Sequence, residues 1–202
     1  MKKPEDFQFL EKAAIDLGAG SAKVIPAEQI VVEDRVRMRC TVGCSSYGAC
    51  LKCPPFVQTP DEFRKVLKEY RYAMIIRHKP PVMPKEVNGY VIHDPEKAKE
   101  LKAKLWPETH AYYQKTLNIL LDLEKAAFAG GYVFAIAFYG GRCALCETCN
   151  VEKGVCLNPT IARIAAEAVG VNVVKTAENA GMTVKFSMEI KAPEPMALLL
   201  ID

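Results

Sequence analysis

The chain has 202 residues, half of them hydrophobic and a quarter charged, with a formal net charge of +3. This composition is typical of a folded globular protein and excludes a disordered or collagen-like chain. A chain of this length can bury a stable core without covalent cross-links. Its eight cysteines therefore indicate a role other than stabilisation.

The N-terminal segment is charged and has a helical pattern of apolar residues that ends at Gly18. It lacks the apolar stretch of a secretory signal. No run in the chain reaches the roughly 18 apolar residues that a membrane span needs. We therefore expect a cytoplasmic protein with no membrane partner.

The next elements are predicted from short apolar runs and capping residues. β-type runs between Ala22 and Arg39 predict strands that lead into Cys40. Thr59 and Pro60 predict the start of a helix that ends near Tyr70. A strand is then expected at 72–77, and the Pro-rich stretch at 80–89 is expected to be a loop.

The second half of the chain predicts further helices and strands. A helix opened by Asp94-Pro95 is expected to be divided at Pro107 and to end at Gly130-Gly131. The apolar stretch 132–139 predicts a central strand, and 159–170 predicts a helix. Three more strands are expected, at 171–174, 182–191 and 196–201.

This order of elements predicts the fold class. We expect an α/β (or α+β) fold in a single domain, 1–202, with a mixed β-sheet, crossover helices and two cysteine-rich metal-binding loops. Reactive loops of such sheets lie beyond the carboxyl ends of strands. Both cysteine groups are expected there.

The cysteines form two groups of four, in loops at 40–53 and 143–156. The predicted metal ligands are Cys40, Cys44, Cys50 and Cys53 in the first loop, and Cys143, Cys146, Cys149 and Cys156 in the second loop. In a reducing cytoplasm, clustered cysteines are more often metal ligands or redox groups than disulfides. Four disulfides would require an oxidising compartment or a hyperthermophilic host.

The spacing of the second loop, C-x2-C-x2-C-x6-C, favours a [4Fe-4S] cluster. Its opening is that of the bacterial ferredoxin run, whereas structural zinc usually takes its cysteines as two separate pairs. The first loop, C-x3-C-x5-C-x2-C-P, is less diagnostic. We predict two [4Fe-4S] clusters, with zinc in one or both sites as the alternative. Two wirings remain open: each loop holds its own cluster, or Cys53 and Cys156 exchange partners.

Charged residues near the first loop bear on partners. Arg35, Arg37, Arg39 and Lys52 form a local basic patch. The patch either compensates an anionic cluster or docks an acidic redox partner or anionic substrate. The charge does not call for nucleic acid, so none is expected. No histidine stands at ligand spacing to a cysteine.

The two loops also carry a family resemblance. The residues C-x3-C-x5-C-x2-C-P-P, the helix TPDEFRKVLKEY and the segment GGRCALCETC resemble an uncharacterised family of small predicted metal-binding proteins, a domain of unknown function. The resemblance covers roughly 30–180 and implies cysteine-ligated metal at all eight positions, but no reaction. Cys143, Cys146 and Cys149 are also similar to bacterial-type ferredoxin loops, although Leu157 stands where ferredoxins have proline.

Taken together, the sequence predicts an iron-sulfur protein that acts in electron transfer, or as a redox subunit in anaerobic metabolism, with a redox partner protein. Two alternatives remain open. One is a cluster-dependent enzyme with an open iron site, and the other is a structural zinc-binding interaction module. The sequence carries no known hydrolase or dehydrogenase motif, and no catalytic residue is predicted.

Overall fold

The computed structural model describes residues 3–79, 95–184 and 194–202. The helices are α1 (Gln8–Asp16), α2 (Asp34–Gly43), α3 (Pro60–Leu67), α4 (Pro95–Ala129) and α5 (Val173–Asn179). The strands are β1 (Ser21–Pro26), β2 (Tyr72–Arg77), β3 (Ile136–Phe138) and β4 (Met196–Leu200). A short 3-10 turn, Glu167–Val169, precedes α5. In these ranges no helix is long and apolar enough to cross a membrane.

The four strands form one sheet in the order β1-β2-β4-β3. All three strand pairings are antiparallel, and Leu198 of β4 lies opposite Ile75 of β2 and Phe138 of β3. The α+β alternative is therefore confirmed, whereas the expected mixed sheet with crossover helices is not found among the strands that the structure describes. The long connections bring each strand into the sheet against the direction of its neighbour, so they are not the crossovers of parallel units.

The core lies on both faces of β4, all five residues of which are buried. Ala197 and Leu199 pack on one face with side chains of α1 and α4, such as Leu10 and Leu120. Leu198 and Leu200 belong to the cluster on the other face, with Phe63 of α3 and the apolar residues around the 3-10 turn. A strand covered on both faces has a continuous apolar sequence. The prediction of a buried C-terminal strand is thus confirmed.

The prediction that a helix starts at Thr59 and Pro60 is confirmed by α3. The Thr59 hydroxyl accepts a hydrogen bond from the backbone N–H of Glu62 at 3.2 Å, and the backbone N–H of Thr59 donates to the Glu62 carboxylate at 2.8 Å. This reciprocal pair satisfies two donors that the first helical turn leaves open. The predictions of the N-terminal helix and of the strand at 72–77 are also confirmed.

Pro107 does not divide the long helix, contrary to expectation. It lies inside α4, which is 35 residues long. An interior proline removes one hydrogen bond and costs about 3 kcal/mol. The buried face of the second half, which includes Leu117, Leu120 and Leu123, offsets this cost.

Three other predictions from local sequence patterns were wrong. The residues before Cys40 form helix α2 and not a strand, since four alternating residues are too few to set a period. The stretch 159–166 is not helical, because Tyr139 pairs with its backbone: the Tyr139 N–H donates to the Ile164 carbonyl at 2.8 Å. The expected strand at 171–174 instead contains the start of α5.

Only Ile136–Phe138 of the predicted central strand at 132–139 is a strand, and it lies at the sheet edge. Phe134, just before it, is 80% exposed. The expected strand at 182–191 is not formed at 182–184, and its remainder lies outside the described residues. The predicted loop at 80–89 and the predicted Asp94 cap also lie outside them.

Candidate metal centre

The first loop starts inside a helix. Cys40 lies in α2, and Cys44 follows its last residue, Gly43. The expectation that this loop follows a strand is therefore wrong, because the segment before it is helical. Within α2 no residue is buried. The helix is held by the guanidinium of Arg37, which donates to the backbone carbonyl of Gln58 just beyond the loop.

Beyond Cys44 the first loop folds back on itself. Gly48, with a φ of +67° that favours glycine, donates its N–H to the Pro54 carbonyl at 2.9 Å. The Cys53 N–H donates to the Cys50 carbonyl at 2.9 Å. The turn buries Cys50 and Cys53 and leaves Cys44 exposed.

The second loop follows strand β3, as predicted. Gly140 touches β4 so closely that a methyl group there would overlap the Met196 carbonyl. Gly141 has a φ of +102° and starts the turn into Cys143. The ring of His110 on α4 hydrogen-bonds through Nδ1 to the Ala144 carbonyl at 2.7 Å. Strand and helix thus fix the start of the loop.

The two loops meet in space. The thiols of Cys50 and Cys143 lie close enough to shift each other's pKa, and the Leu51 N–H donates to Cys149 Sγ at 3.4 Å across 98 residues of chain. A small cavity of about 20 Å³ lies between them. Its cysteine lining comes from both loops: Cys50, Cys143, Cys146, Cys149 and Cys156.

The other three cysteines group on the side of the first loop. The thiol of Cys53 is hydrogen-bonded to Cys50 and lies within electrostatic reach of Cys40 and Cys44. None of these three lines the small cavity. All eight predicted ligands are therefore in one neighbourhood, and Cys50 contacts both Cys53 of its own loop and Cys143 of the second loop.

Two N–H groups point at sulfur atoms. In addition to the Leu51 N–H, the side chain of Asn158 donates from Nδ2 to Cys146 Sγ at 3.3 Å. Hydrogen bonds of this kind are typical of metal-bound thiolates, whose orientation and potential they tune. The sequence pattern predicted no contact between Asn158 and a cysteine. Its position two residues after Cys156 was the available signal.

The pKa values of the Cys50 and Cys143 thiols are raised above the usual value for cysteine. Hydrogen bonding with Cys143 lowers the pKa of Cys50, but hydrogen bonding with Cys53 and burial outweigh it and raise the pKa to about 11. Hydrogen bonding to Cys50 and burial also raise the pKa of Cys143. Cysteine binds metal as the thiolate, so metal binding at these positions releases protons.

Buried polar side chains lie behind the cysteines. The hydroxyl of Tyr113 faces Cys143, and burial raises its pKa. The Tyr139 hydroxyl is bonded to Thr116 Oγ1 at 2.7 Å, so Tyr139, which neighbours the second loop in sequence, does not bind a sulfur. Glu167, which the sequence did not single out, lies near Cys40. Its Oε2 is buried without a hydrogen-bond partner in the described part of the chain.

The basic patch beside the first loop is largely engaged in structural contacts. Arg35 pairs with Glu33 at 2.8 Å, and Arg37 bonds to backbone carbonyls. These partners lie within the protein, so the two side chains already have local roles other than recognition of a partner.

The donor atoms fit a thiophilic metal. The eight cysteines of the two loops are all free thiols, and two N–H groups donate to their sulfur atoms. The spacing does not fit one ion: among the described residues, no three His, Cys, Asp or Glu side chains are placed so that they could hold a metal ion. In a four-iron cluster each thiolate binds a different iron atom, so the ligands are spread more widely.

Comparison with known proteins now identifies the family. The sequence profile of the predicted metal-binding proteins DUF2284 matches 23–201. The chain belongs to this family. The match confirms the resemblance expected from the cysteine loops, and it supports metal binding without naming the metal. The DUF2284 profile does not test the similarity to ferredoxin loops, which stays a prediction. No curated protein and no solved structure matches the chain.

Proposed function

We propose that this DUF2284 protein binds two [4Fe-4S] clusters through its eight cysteines and transfers electrons to or from a partner protein. The observation that carries the proposal is the meeting of the two loops, in which the free thiol of Cys50 lies beside that of Cys143 and the Leu51 N–H donates to Cys149 Sγ. Electron transfer between two centres requires that they lie close together. Residues 98 apart in the chain are brought together here by the common sheet.

The donor arrangement supports clusters over zinc. A structural zinc ion needs four tightly placed ligands, whereas among the described residues no such single-ion group occurs. The three cysteines at x2 spacing in the second loop are typical of cluster ligands. Eight thiolates match two four-iron clusters, which when bound supply one-electron transfer.

The protein's own groups have defined roles in this proposal. The N–H groups of Leu51 and Asn158 stabilise negative charge on sulfur, which raises the potential of a bound centre. Tyr113, which is buried beside Cys143, shields one side of that partly buried thiol from water. We expect the protein to work in the cytoplasm, where thiols stay reduced.

The surface around the loops supports a transient protein partner. The apolar side chains of Met38, Val42 and Leu157 are exposed beside cysteines, and Cys44 itself is exposed. Exposed apolar side chains beside a redox centre offer a partner protein apolar surface to bury on contact. The basic residues Arg39 and Lys52 next to this surface favour an acidic partner.

Electron paramagnetic resonance tests the proposal. Protein purified without oxygen is measured before and after reduction with dithionite, in the wild type and in the variants Cys44→Ser and Cys149→Ser. We expect signals that appear on reduction, with a different part of the signal lost in each variant. Tyr47→Phe, an exposed residue of the first loop without a sulfur, is the control. Colourless protein without a signal, and with stoichiometric zinc, would refute the proposal.

A further inference from the structure

A hydrogen bond joins His110 on α4 to the start of the second loop. Its Nδ1 lies 2.7 Å from the Ala144 carbonyl oxygen, and the two residues are 34 apart in the chain. A carbonyl oxygen only accepts hydrogen bonds, so Nδ1 is the donor and carries a hydrogen. Because either ring nitrogen of a neutral histidine can hold the hydrogen, this contact selects its position on the ring.

The surroundings of His110 hold the ring in place. The ring of Trp106, one turn earlier in α4, lies against it with the two centroids 5.3 Å apart. Ala144 is 2% exposed and belongs to the same core cluster as Leu117 and Leu120 of α4. A buried carbonyl group without a hydrogen-bond partner is costly. The His110 side chain therefore supplies a bond that the start of the loop needs.

The peptide group between Ala144 and Leu145 connects this bond to a cysteine. Its carbonyl oxygen accepts from His110, and its N–H lies within hydrogen-bonding reach of the Cys143 thiol. The neighbouring Cys50 thiol and burial raise the pKa of Cys143, whereas hydrogen bonding from the Leu145 N–H lowers it. The C=O and N–H of a trans peptide point in opposite directions, so His110 and Cys143 lie on opposite sides of one rigid group.

Two hydrogen bonds that share a peptide group strengthen each other. Donation to the carbonyl oxygen polarises the peptide, which makes its N–H a stronger donor. A stronger N–H···S bond stabilises negative charge on the sulfur and raises the reduction potential of a centre bound to that sulfur. The ring of His110 can therefore act on Cys143 without touching it.

We propose that His110 is a positioning residue of the metal centre that binds Cys143. Through the Ala144–Leu145 peptide it directs an N–H at the Cys143 sulfur and raises the potential of that centre. His110 is not a metal ligand in this proposal. The effect on potential rests on the proposed function, whereas the contact between His110 and Ala144 belongs to the protein itself.

The variants separate the hydrogen bond from the bulk of the side chain. His110→Asn retains an N–H donor, because the amide nitrogen of asparagine is as many bonds from the backbone as Nδ1 is. His110→Leu removes the donor and keeps an apolar side chain. Gln114→Ala is the control, since Gln114 is exposed and lies one turn further along α4. If His110→Leu does not fold, His110→Phe, a ring without a donor, takes its place.

A redox titration followed by electron paramagnetic resonance gives the midpoint potential of each signal. Cys143→Ser identifies the signal of the centre that binds Cys143. We expect His110→Leu to lower the potential of this signal by up to about 59 mV, a tenfold change in a one-electron equilibrium. His110→Asn should restore most of the loss, and Gln114→Ala should match wild type. The other signal should not move in any of the three variants, which shows that they are folded.

A second measurement does not depend on which metal is bound. The chain has three histidines, so labelling histidine with ¹⁵N gives three rings in the nuclear magnetic resonance spectrum of the purified protein. The His110 ring is the one that is lost in His110→Asn. We expect its Nδ1 to carry a hydrogen.

Two results would overturn the proposal: a His110 ring with its hydrogen on Nε2 alone, or a His110→Leu potential equal to that of wild type. Equal losses in His110→Leu and His110→Asn would also contradict a role of the donor. Zinc in place of iron would refute the iron-sulfur function alone. The protein would then be reloaded with Co²⁺, and its absorption should shift in His110→Leu but not in His110→Asn. Protein that binds no metal would refute both.

Discussion

The side-chain amide of Asn158 donates a hydrogen bond to Cys146 Sγ at 3.3 Å. We predict that Asn158→Ala lowers metal affinity about 10- to 100-fold, as is usual when a bond that orients a ligand is lost. The measurement is competition with a chelator. Asn150→Ala is the control, because Asn150 lines the same cavity but donates to the Val155 carbonyl. Equal losses in the two variants would contradict a specific role of the N–H···S bond.

Glu124 binds the backbone of the edge strand β3. Its carboxylate accepts the N–H of Ala137 at 2.7 Å and pairs with Arg163, and both side chains of this pair are largely buried. We predict that Glu124→Ala lowers the free energy of unfolding by about 3 kcal/mol or more, because it leaves a buried charge and a buried N–H without partners. Urea unfolding measures the loss.

The control for Glu124 is Asp122→Ala on the same helix. Asp122 forms an exposed pair with Lys125, and such pairs contribute about 0.5 kcal/mol. Glu124→Gln, which retains an acceptor for the Ala137 N–H, should lie between the two. If Glu124→Ala cost no more than Asp122→Ala, the edge would not depend on this pair.

His78 makes stability depend on pH. Its side chain is 1% exposed, neither ring nitrogen has a hydrogen-bond partner in the described ranges, and burial lowers its pKa from 6.5 to about 4. The unfolded chain therefore binds a proton before the folded chain does. The free energy of unfolding should fall by about 3 kcal/mol as pH falls through this window, and level off below it.

The measurement is urea unfolding of wild type and His78→Leu between pH 4 and pH 7. The difference between the two curves cancels any loss of metal at low pH. We expect the variant to lose this part of the pH dependence. Parallel curves would show that His78 is not held neutral in the folded protein.

At the residue scale, the sequence pattern points to the cysteines as candidate ligands but not to the residues that contact them. The spacing of Cys143, Cys146 and Cys149 is a local pattern and can be read directly. The side chain of Asn158 reaches Cys146 Sγ only in the folded chain. No pattern in one sequence contains such a contact.

Among the elements, the junction between the second loop and β4 is the tightest. A methyl group at Gly140 would overlap the Met196 carbonyl. We predict that Gly140→Ala lowers the free energy of unfolding by about 3 kcal/mol, because the strand backbone cannot move away. Gly43→Ala is the control: it lies in α2 with open space around it, where alanine stabilises a helix by about 0.5 to 1 kcal/mol relative to glycine. Chemical unfolding compares them, and similar effects would contradict the close packing.

Elements with strong local signals were predicted well. The capping residues of α3 and the apolar run of β4 each act within a few residues. The helix expected at 159–170 was wrong because Tyr139 takes up hydrogen bonds of that segment. The stretch 132–139 is apolar as a central strand would be, yet β3 is an edge strand that Glu124 covers. In both segments, contacts with residues distant in sequence determine the local structure.

On the scale of the whole molecule, the antiparallel sheet brings together two loops that are distant in sequence. β4 is central: it pairs with β2 and β3, and the second loop starts against it at Gly140. The sequence predicted two separate quartets, or an exchange through Cys53 and Cys156. The structure places Cys50 beside second-loop cysteines while it also contacts Cys53, and spacing alone could not indicate this meeting of the loops.

The central claim is that the eight cysteines hold two iron-sulfur clusters, and the content of iron, acid-labile sulfide and zinc tests it most directly. For protein purified without oxygen, the account predicts about eight iron atoms and about eight sulfides per chain, four of each per cluster. Stoichiometric zinc with neither iron nor sulfide would contradict it.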